Sequence, residues 1–185
     1  MRFKPGDYVC VDIIIPFLHS PWGWFINTLI RKFTKSEYSH AFIVIDDHGT
    51  ILEARPSGIG YGNISQYEGM PMQGSNTILT DEQRADIISA AKKYIGTPYG
   101  FMDILYIGLH TMGFTWTWLL NKVRRLKTMI CSQFCSQAGD DAGVLSWRCG
   151  RKYAQEVTPA DLDILAMQQR PGLHRYQRKD LAARA

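Results

Sequence analysis

The sequence has no long apolar run free of charge. Its longest apolar tract, Phe101 to Leu120, is interrupted by Asp103, His110 and several Thr and Gly residues. Such a tract makes a poor membrane-spanning helix and a better core or interfacial one. No apolar stretch follows the basic residues of the opening Met-Arg-Phe-Lys-Pro-Gly-Asp, so a cleavable signal peptide is not expected. Cysteine is sparse: Cys10, Cys131, Cys135 and Cys149 do not make a disulfide framework in a chain of 185 residues. No CxxC or HxxxH pattern supplies the further ligands that a zinc site would need, so no metal and no cofactor is expected. Strong charge of one sign is missing too. A formal charge of +4 gives no ground for nucleic-acid binding. There is no internal repeat and no low-complexity segment.

What is present is ordinary globular material. Apolar residues make up 45% and charged residues 21%, enough to bury a substantial core. A single domain is expected over residues 1–176, with 177–185 a frayed polar and basic tail. Asp7 to Ile15 is a β-branched run ending at Pro16 and reads as a buried strand. Pro21 to Phe33 reads as a helix with Phe25, Leu29 and Phe33 on one face. Tyr38–Asp46 and Thr50–Arg55 flank the turn Asp46-Asp47-His48-Gly49 and read as a β-hairpin. The stretch from Pro56 to Ser75 reads as a long loop. Thr80-Asp-Glu-Gln83 is a capping box opening a helix that places Ile88, Ala91 and Ile95 together and stops at Gly96-Thr-Pro98. A helix over the Cys131 segment ends near Gly143. Thr158-Pro159 opens a short helix through Ile164, and Leu173 to Gln177 suits a last strand.

The chemistry concentrates in Thr128-Met-Ile-Cys131-Ser-Gln-Phe-Cys135. With Thr128 as N-cap, Cys131 would be the N3 residue of a helix whose apolar stripe is Ile130, Phe134 and Ala138. A thiol there meets the positive end of the helix dipole and free backbone N–H groups, which favour thiolate. On this segment alone, a nucleophile and a buried structural cysteine are both open readings. Cysteine catalysis also needs a base and a group that orients it. Of five histidines, His40 alone falls inside a clear strand. With a hairpin loop of two or four residues, cross-strand partners sum to an odd number. Glu53 then shares a face with His40, adjacent or diagonal; a loop of three or five residues, or a bulge, would break the relation.

These residues sit in an ordered set of motifs: Lys-Pro-Gly-Asp at 4–7, Tyr-Ser-His-Ala-Phe-Ile-Val-Ile-Asp at 38–46, Ile-Leu-Glu-Ala at 51–54, Gly-Thr-Pro-Tyr at 96–99, Cys-Ser-Gln-Phe at 131–134 and Val-Thr-Pro-Ala-Asp-Leu at 157–162. Together they resemble the circularly permuted NlpC-type papain-like cysteine hydrolases, a group that includes the lecithin:retinol acyltransferase-like proteins. The resemblance implies an α+β fold of papain-like architecture, with an antiparallel sheet against a nucleophile-bearing helix and the His strand before the Cys helix. It implies Cys131 as nucleophile, His40 as base and Glu53 as orienting residue, with Tyr99, Ser39 and Tyr38 lining the substrate cleft. Gly100 departs from the acidic residue often found after that tyrosine, although Asp103 is near. The bulky Phe101–Leu120 tract is a second departure.

The resemblance points to a cysteine-dependent hydrolase, peptidase- or amidase-like, acting on a peptide or acyl substrate such as a bacterial cell-wall peptide through a thioacyl-enzyme. The missing signal sequence fits a cytoplasmic or phage-associated protein better than an ordinary exported wall hydrolase. Two other readings stay open: a lipid-directed thiol esterase or acyltransferase, and a non-catalytic binding module on the same fold. The first draws on Trp22, Trp24, Trp116 and Trp118, since Trp favours membrane interfaces. Phe101–Leu120 would then contact a membrane surface or wall an acyl chain, against core packing as the plainer reading. Lys122 to Lys127 reads as a solvated basic surface, or as a patch for phosphate headgroups.

Overall fold

The computed structural model describes residues 3–13, 28, 37–104, 128–151 and 153–168. All but residue 28 of the expected helix at 21–33, most of the apolar tract, the basic run at 122–127, the last strand and the tail lie outside the described residues. So do His19, His110 and His174.

The described residues form an α+β fold built on a five-stranded antiparallel sheet. The strands are β1 (Tyr8–Val11), β2 (His40–Val44), β3 (Thr50–Arg55), β4 (Gly58–Asn63) and β5 (Met72–Gly74), in the spatial order β4-β3-β2-β1-β5. Three α-helices are described: α1 (Asp81–Lys92), α2 (Cys131–Asp141) and α3 (Pro159–Gln168). Each face of the sheet carries its own apolar cluster. Tyr8, Cys10, Ala41, Ile43, Leu52 and Ala54 meet the helices, including Cys131, Phe134 and Cys135 of α2. Val9, Val11, Phe42, Val44 and Ile51 point the other way, under Phe3 and Tyr67. This is the period-2 alternation of a strand buried on both faces.

The β2–β3 hairpin pairs Phe42 with Glu53, Ile43 with Leu52 and Val44 with Ile51. Partners sum to an odd number, so the four-residue loop 46–49 puts His40 and Glu53 on one face, diagonal to each other. Asp46 Oδ1 fixes that loop by accepting from the backbone N–H groups of His48 and Thr50.

The expected long loop after Arg55 is largely a strand. Pro56 and Ser57 form a two-residue connection, and β4 then pairs with β3 along its full length, Arg55 to Gly58 through Thr50 to Asn63. Gly58, Gly60 and Gly62 erase the side-chain alternation that signals a strand, and the pairing overrides their low β propensity. The N-terminal strand is shorter than expected, ending at Val11.

Helix α1 opens on the expected capping box: Thr80 Oγ1 accepts from Gln83 N–H, and Gln83 Oε1 accepts from Thr80 N–H. Its buried face is Ile87, Ala90 and Ala91 rather than Ile88, Ala91 and Ile95. The helix ends at Lys92, so Ile95 falls in the following turn and is exposed. Arg84 on the same helix reaches Asp7 Oδ1 at 2.9 Å and ties α1 to the start of β1.

Helix α2 is buried nearly all round and forms the centre of the helical layer. Its small residues allow this. Gly139 lies so close to Trp147 that a Cβ there would stand 2.5 Å from the indole Cε3. Trp147 is itself fully buried, edge-on to Tyr8. Gly139→Ala is therefore expected to lower unfolding free energy by about 1–3 kcal/mol, the usual cost of overpacking a closed core. Urea denaturation reads this, and an unchanged midpoint would show that the indole can yield.

Candidate active site

Strand β2 begins at His40, at an end of the sheet, and α2 begins at Cys131, packed on the sheet's helical side. The imidazole projects from the opposite face, beside Phe42 and Tyr67. The ring bonds Glu53, with Nε2 2.9 Å from Oε2. The Cys131 side chain is the ring's other neighbour, close enough to act on its proton affinity. Nε2 is committed to the carboxylate, which leaves Nδ1 as the ring nitrogen free to face the thiol. Three residues separated by up to ninety-odd positions thus form one chain, Cys131–His40–Glu53.

Cys131 and His40 are 2% and 7% exposed and Glu53 not at all, so charge on any of them is weakly screened. Burial pulls the imidazole pKa down. The hydrogen bonds to Cys131 and Glu53, and the negative charge each can carry, outweigh it and push it up to about 9. Glu53 shows the mirror case. Burial pushes its pKa up, but His40, Tyr67 and Gln66 as donors bring it below the ordinary carboxylate value.

Glu53 has a built pocket. Oε2 also accepts from Tyr67 Oη at 2.5 Å, and Oε1 accepts from Gln66 Nε2 at 2.7 Å. Arg55 Nε stands 3.6 Å from Oε1, while its Nη2 donates to the Tyr61 carbonyl. Burial and the neighbouring carboxylate push the Tyr67 hydroxyl pKa up, so it remains a donor. Gly62 of β4 makes the space: it lies across from Ile51, on the face that carries Glu53. A Cβ at position 62 would collide with Glu53 Oε1.

The start of α2 differs from expectation. Its N-cap is Ile130, not Thr128, which makes Cys131 the first helical residue rather than the third. Ile130 offers no side-chain acceptor. The Thr128 hydroxyl donates instead to Asp103 Oδ2 at 3.0 Å, and Gln133 Oε1 accepts from the Ile130 N–H at 3.1 Å. At N1 the backbone N–H of Cys131 is among the donors that an α-helix leaves without an intrahelical partner.

Tyr99 joins this neighbourhood. It pairs with Met129 in an isolated parallel bridge, and its ring stands 4.9 Å from that of Phe101. Burial, then the charges of Cys131 and Asp103, push its pKa up, so it keeps its proton. Ser39 is buried; its Oγ accepts from the Ile13 N–H at 3.1 Å and ties it to the chain after β1. Tyr38 is half-buried at the rim of the helical-side core.

Sequence reasoning missed Tyr67, Gln66, Arg55 and Gly62 around Glu53, and Gln133 at the helix start. A usable signal existed: glycine at 58, 60 and 62 after a Pro-Ser turn is a period-2 pattern with its side chains removed. Among the described residues there is no cluster of His, Cys, Asp and Glu able to hold a metal ion, and no helix is long and apolar enough to cross a membrane. All four cysteines are free thiols. In comparisons with known proteins, no family model matches the chain and no curated protein matches it significantly.

The His40 ring is expected to titrate with a midpoint of about 9 by NMR of its ring protons. It is thus cationic through neutral pH and loses its proton as pH rises past that value. Glu53→Gln removes the charge behind the ring and should bring the midpoint down, and Gly62→Ala should do the same by displacing the carboxylate. A wild-type midpoint below 6.5 would mean that burial governs the ring and that the Cys131–His40–Glu53 chain does not hold it.

Proposed function

We propose that this protein is a cysteine-dependent hydrolase that cleaves an amide bond through a thioacyl-enzyme, on a circularly permuted papain-like fold. The observation that carries the reading is the enclosed Cys131–His40–Glu53 chain, with the imidazole held cationic between two groups that can be anionic. A buried carboxylate surrounded by its own donors, hydrogen-bonded to a histidine that also touches a thiol at a helix start, is the arrangement nucleophilic catalysis needs.

The steps follow from these positions. Cys131 Sγ attacks the carbonyl carbon as thiolate, and the carbonyl oxygen takes the negative charge of a tetrahedral intermediate. The Cys131 N–H, at the positive end of α2, is the donor best placed for that oxygen. His40 gives its proton to the departing amine as the C–N bond breaks. The neutral ring then takes a proton from water, whose oxygen attacks the thioester. Release of the carboxylic acid restores thiolate and imidazolium. Glu53 keeps the ring oriented and stabilises its cationic form throughout.

The favoured substrate is a peptide amide, by resemblance a cell-wall peptide. A lipid-directed thiol esterase or acyltransferase would use the same first step. One observation favours it: Phe101, which opens the Trp-rich apolar tract, is exposed and packs against Tyr99. Mass spectrometry of Cys131 after incubation with peptidoglycan fragments, and separately with phospholipids, distinguishes the two by the adduct that forms.

Cys131 should be the thiol first modified by limiting haloacetamide near neutral pH. Burial pushes Cys10 and Cys135 well above the ordinary thiol value and Cys149 up to about 12, which holds these three protonated. Cys131→Ala and His40→Ala should each abolish turnover, and the double variant should be no worse than either, because such groups act as a unit. Preferential labelling of another cysteine, or additive partial losses, would sink the assignment; an unreactive Cys131 would favour a binding module.

A further inference from the structure

The start of α2 has a feature that chain geometry alone does not require. Helices are usually capped by Ser, Thr, Asp or Asn, whose side chain accepts from the first turn. This one begins at a buried isoleucine and takes its order from a distant carboxylate. Asp103, only 2% exposed, accepts through Oδ1 from Gln133 Nε2 at 3.3 Å and through Oδ2 from the Thr128 hydroxyl at 3.0 Å. Gln133 Oε1 in turn accepts from the Ile130 N–H. We propose that Asp103 and Gln133 form a positioning relay that sets the first turn of α2, so that the Cys131 N–H meets the oxyanion of the tetrahedral intermediate. The inference rests on the hydrolase reading above and assigns two further residues to that site.

Three physical points favour it. First, a side-chain amide has two ends of nearly equal shape, one donating and one accepting. A carboxylate accepts only, so Asp103 fixes which end of Gln133 faces it and thereby which end faces Ile130. Second, a glutamate at position 133 would cap as well as glutamine but would put a negative charge two residues from the thiolate. Glutamine supplies the acceptor without that charge, and the charge stands one side chain further back. Third, space is reserved for the carboxylate. A Cβ at Gly100 would collide with Asp103 Oδ2. The same strand of chain is braced against the segment before α2, with Met129 N–H donating to the Pro98 carbonyl and Gly100 N–H to that of Met129. Asp103 therefore acts on the chain just before Cys131, on the Thr128 hydroxyl directly and on the Ile130 N–H through Gln133.

A relay of this kind acts on the oxyanion more than on the nucleophile, and the two can be read separately. Alkylation by iodoacetamide displaces iodide and forms no oxyanion. Acylation by a p-nitrophenyl ester forms one. Asp103→Asn is expected to leave the alkylation rate of Cys131 within about twofold of wild type. It should slow burst release of p-nitrophenol from Cys131 by roughly 10- to 100-fold, as expected for a misaligned rather than deleted donor. Gln133→Met, which keeps the volume and removes both arms, should give the same split and decides the matter if Asp103→Asn does not fold. Circular dichroism melts accompany both. Parallel loss of alkylation and acylation would mean a structural role only and overturns the relay, as does unchanged acylation in a folded variant. Failure of the wild-type protein to acylate at Cys131 overturns the hydrolase reading itself, and the relay with it.

Discussion

A carboxylate with no exposure to water must be surrounded by donors or it will not stay ionised, and Glu53 imposes that demand on everything near it. An unpaired charge in such a place costs several kcal/mol, and removing one partner of a buried pair typically costs about 3–5 kcal/mol. The chain meets the demand on all sides. His40 and Tyr67 serve one oxygen, Gln66 and Arg55 the other. Strand β4 gives up its side chain at 62 so that these groups can converge. The short 3-10 turn Ile64–Tyr67, capped by Asn63, then delivers Gln66 and Tyr67 to the carboxylate. The position of the imidazole is a consequence of this arrangement. Its proton affinity follows in part as well, since Cys131 and Glu53 together push the ring's pKa up against burial.

The other half of the site is built by different means. Helix α2 is held by its packing between the sheet and the segments after it: Trp147 fits against Gly139, and Ser132 Oγ donates to the Val157 carbonyl at 2.8 Å. Ser132 and Gln133 are buried and bonded to groups outside the helix, which limits its freedom to roll. The thiol is thereby fixed with respect to β2 and β3. A helix anchored only by an exposed apolar stripe would leave the sulfur-to-imidazole geometry to thermal motion.

How much of this the sequence showed depends on whether side chains or backbone carried the signal. The His40–Glu53 hairpin was legible because alternation, a four-residue turn and parity all bear on side-chain direction. The capping box of α1 was legible because both its partners lie within four residues. The N-cap of α2 was misplaced by two residues because an isoleucine cap leaves no local trace, its partner being a carboxylate thirty positions from Gln133. Strand β4 was read as loop for the converse reason: glycine marks the strand by what it omits. Tyr67 and Gln66 follow β4 in the chain, so misreading the strand hid them as well. The buried face of α1 was off by one residue because the helix stops before Ile95 could contribute.

Cys131 belongs to the apolar cluster on one side of the sheet, while His40 and Glu53 look toward the cluster on the other. The site is therefore a seam between two cores, and neither core alone contains the whole of it. Proteins open locally in cooperative units, each with its own free energy. A local opening of either layer would part the sulfur from the imidazole. The separated thiol then loses its imidazole neighbour. Completion of the site and final docking of the two layers are consequently one event.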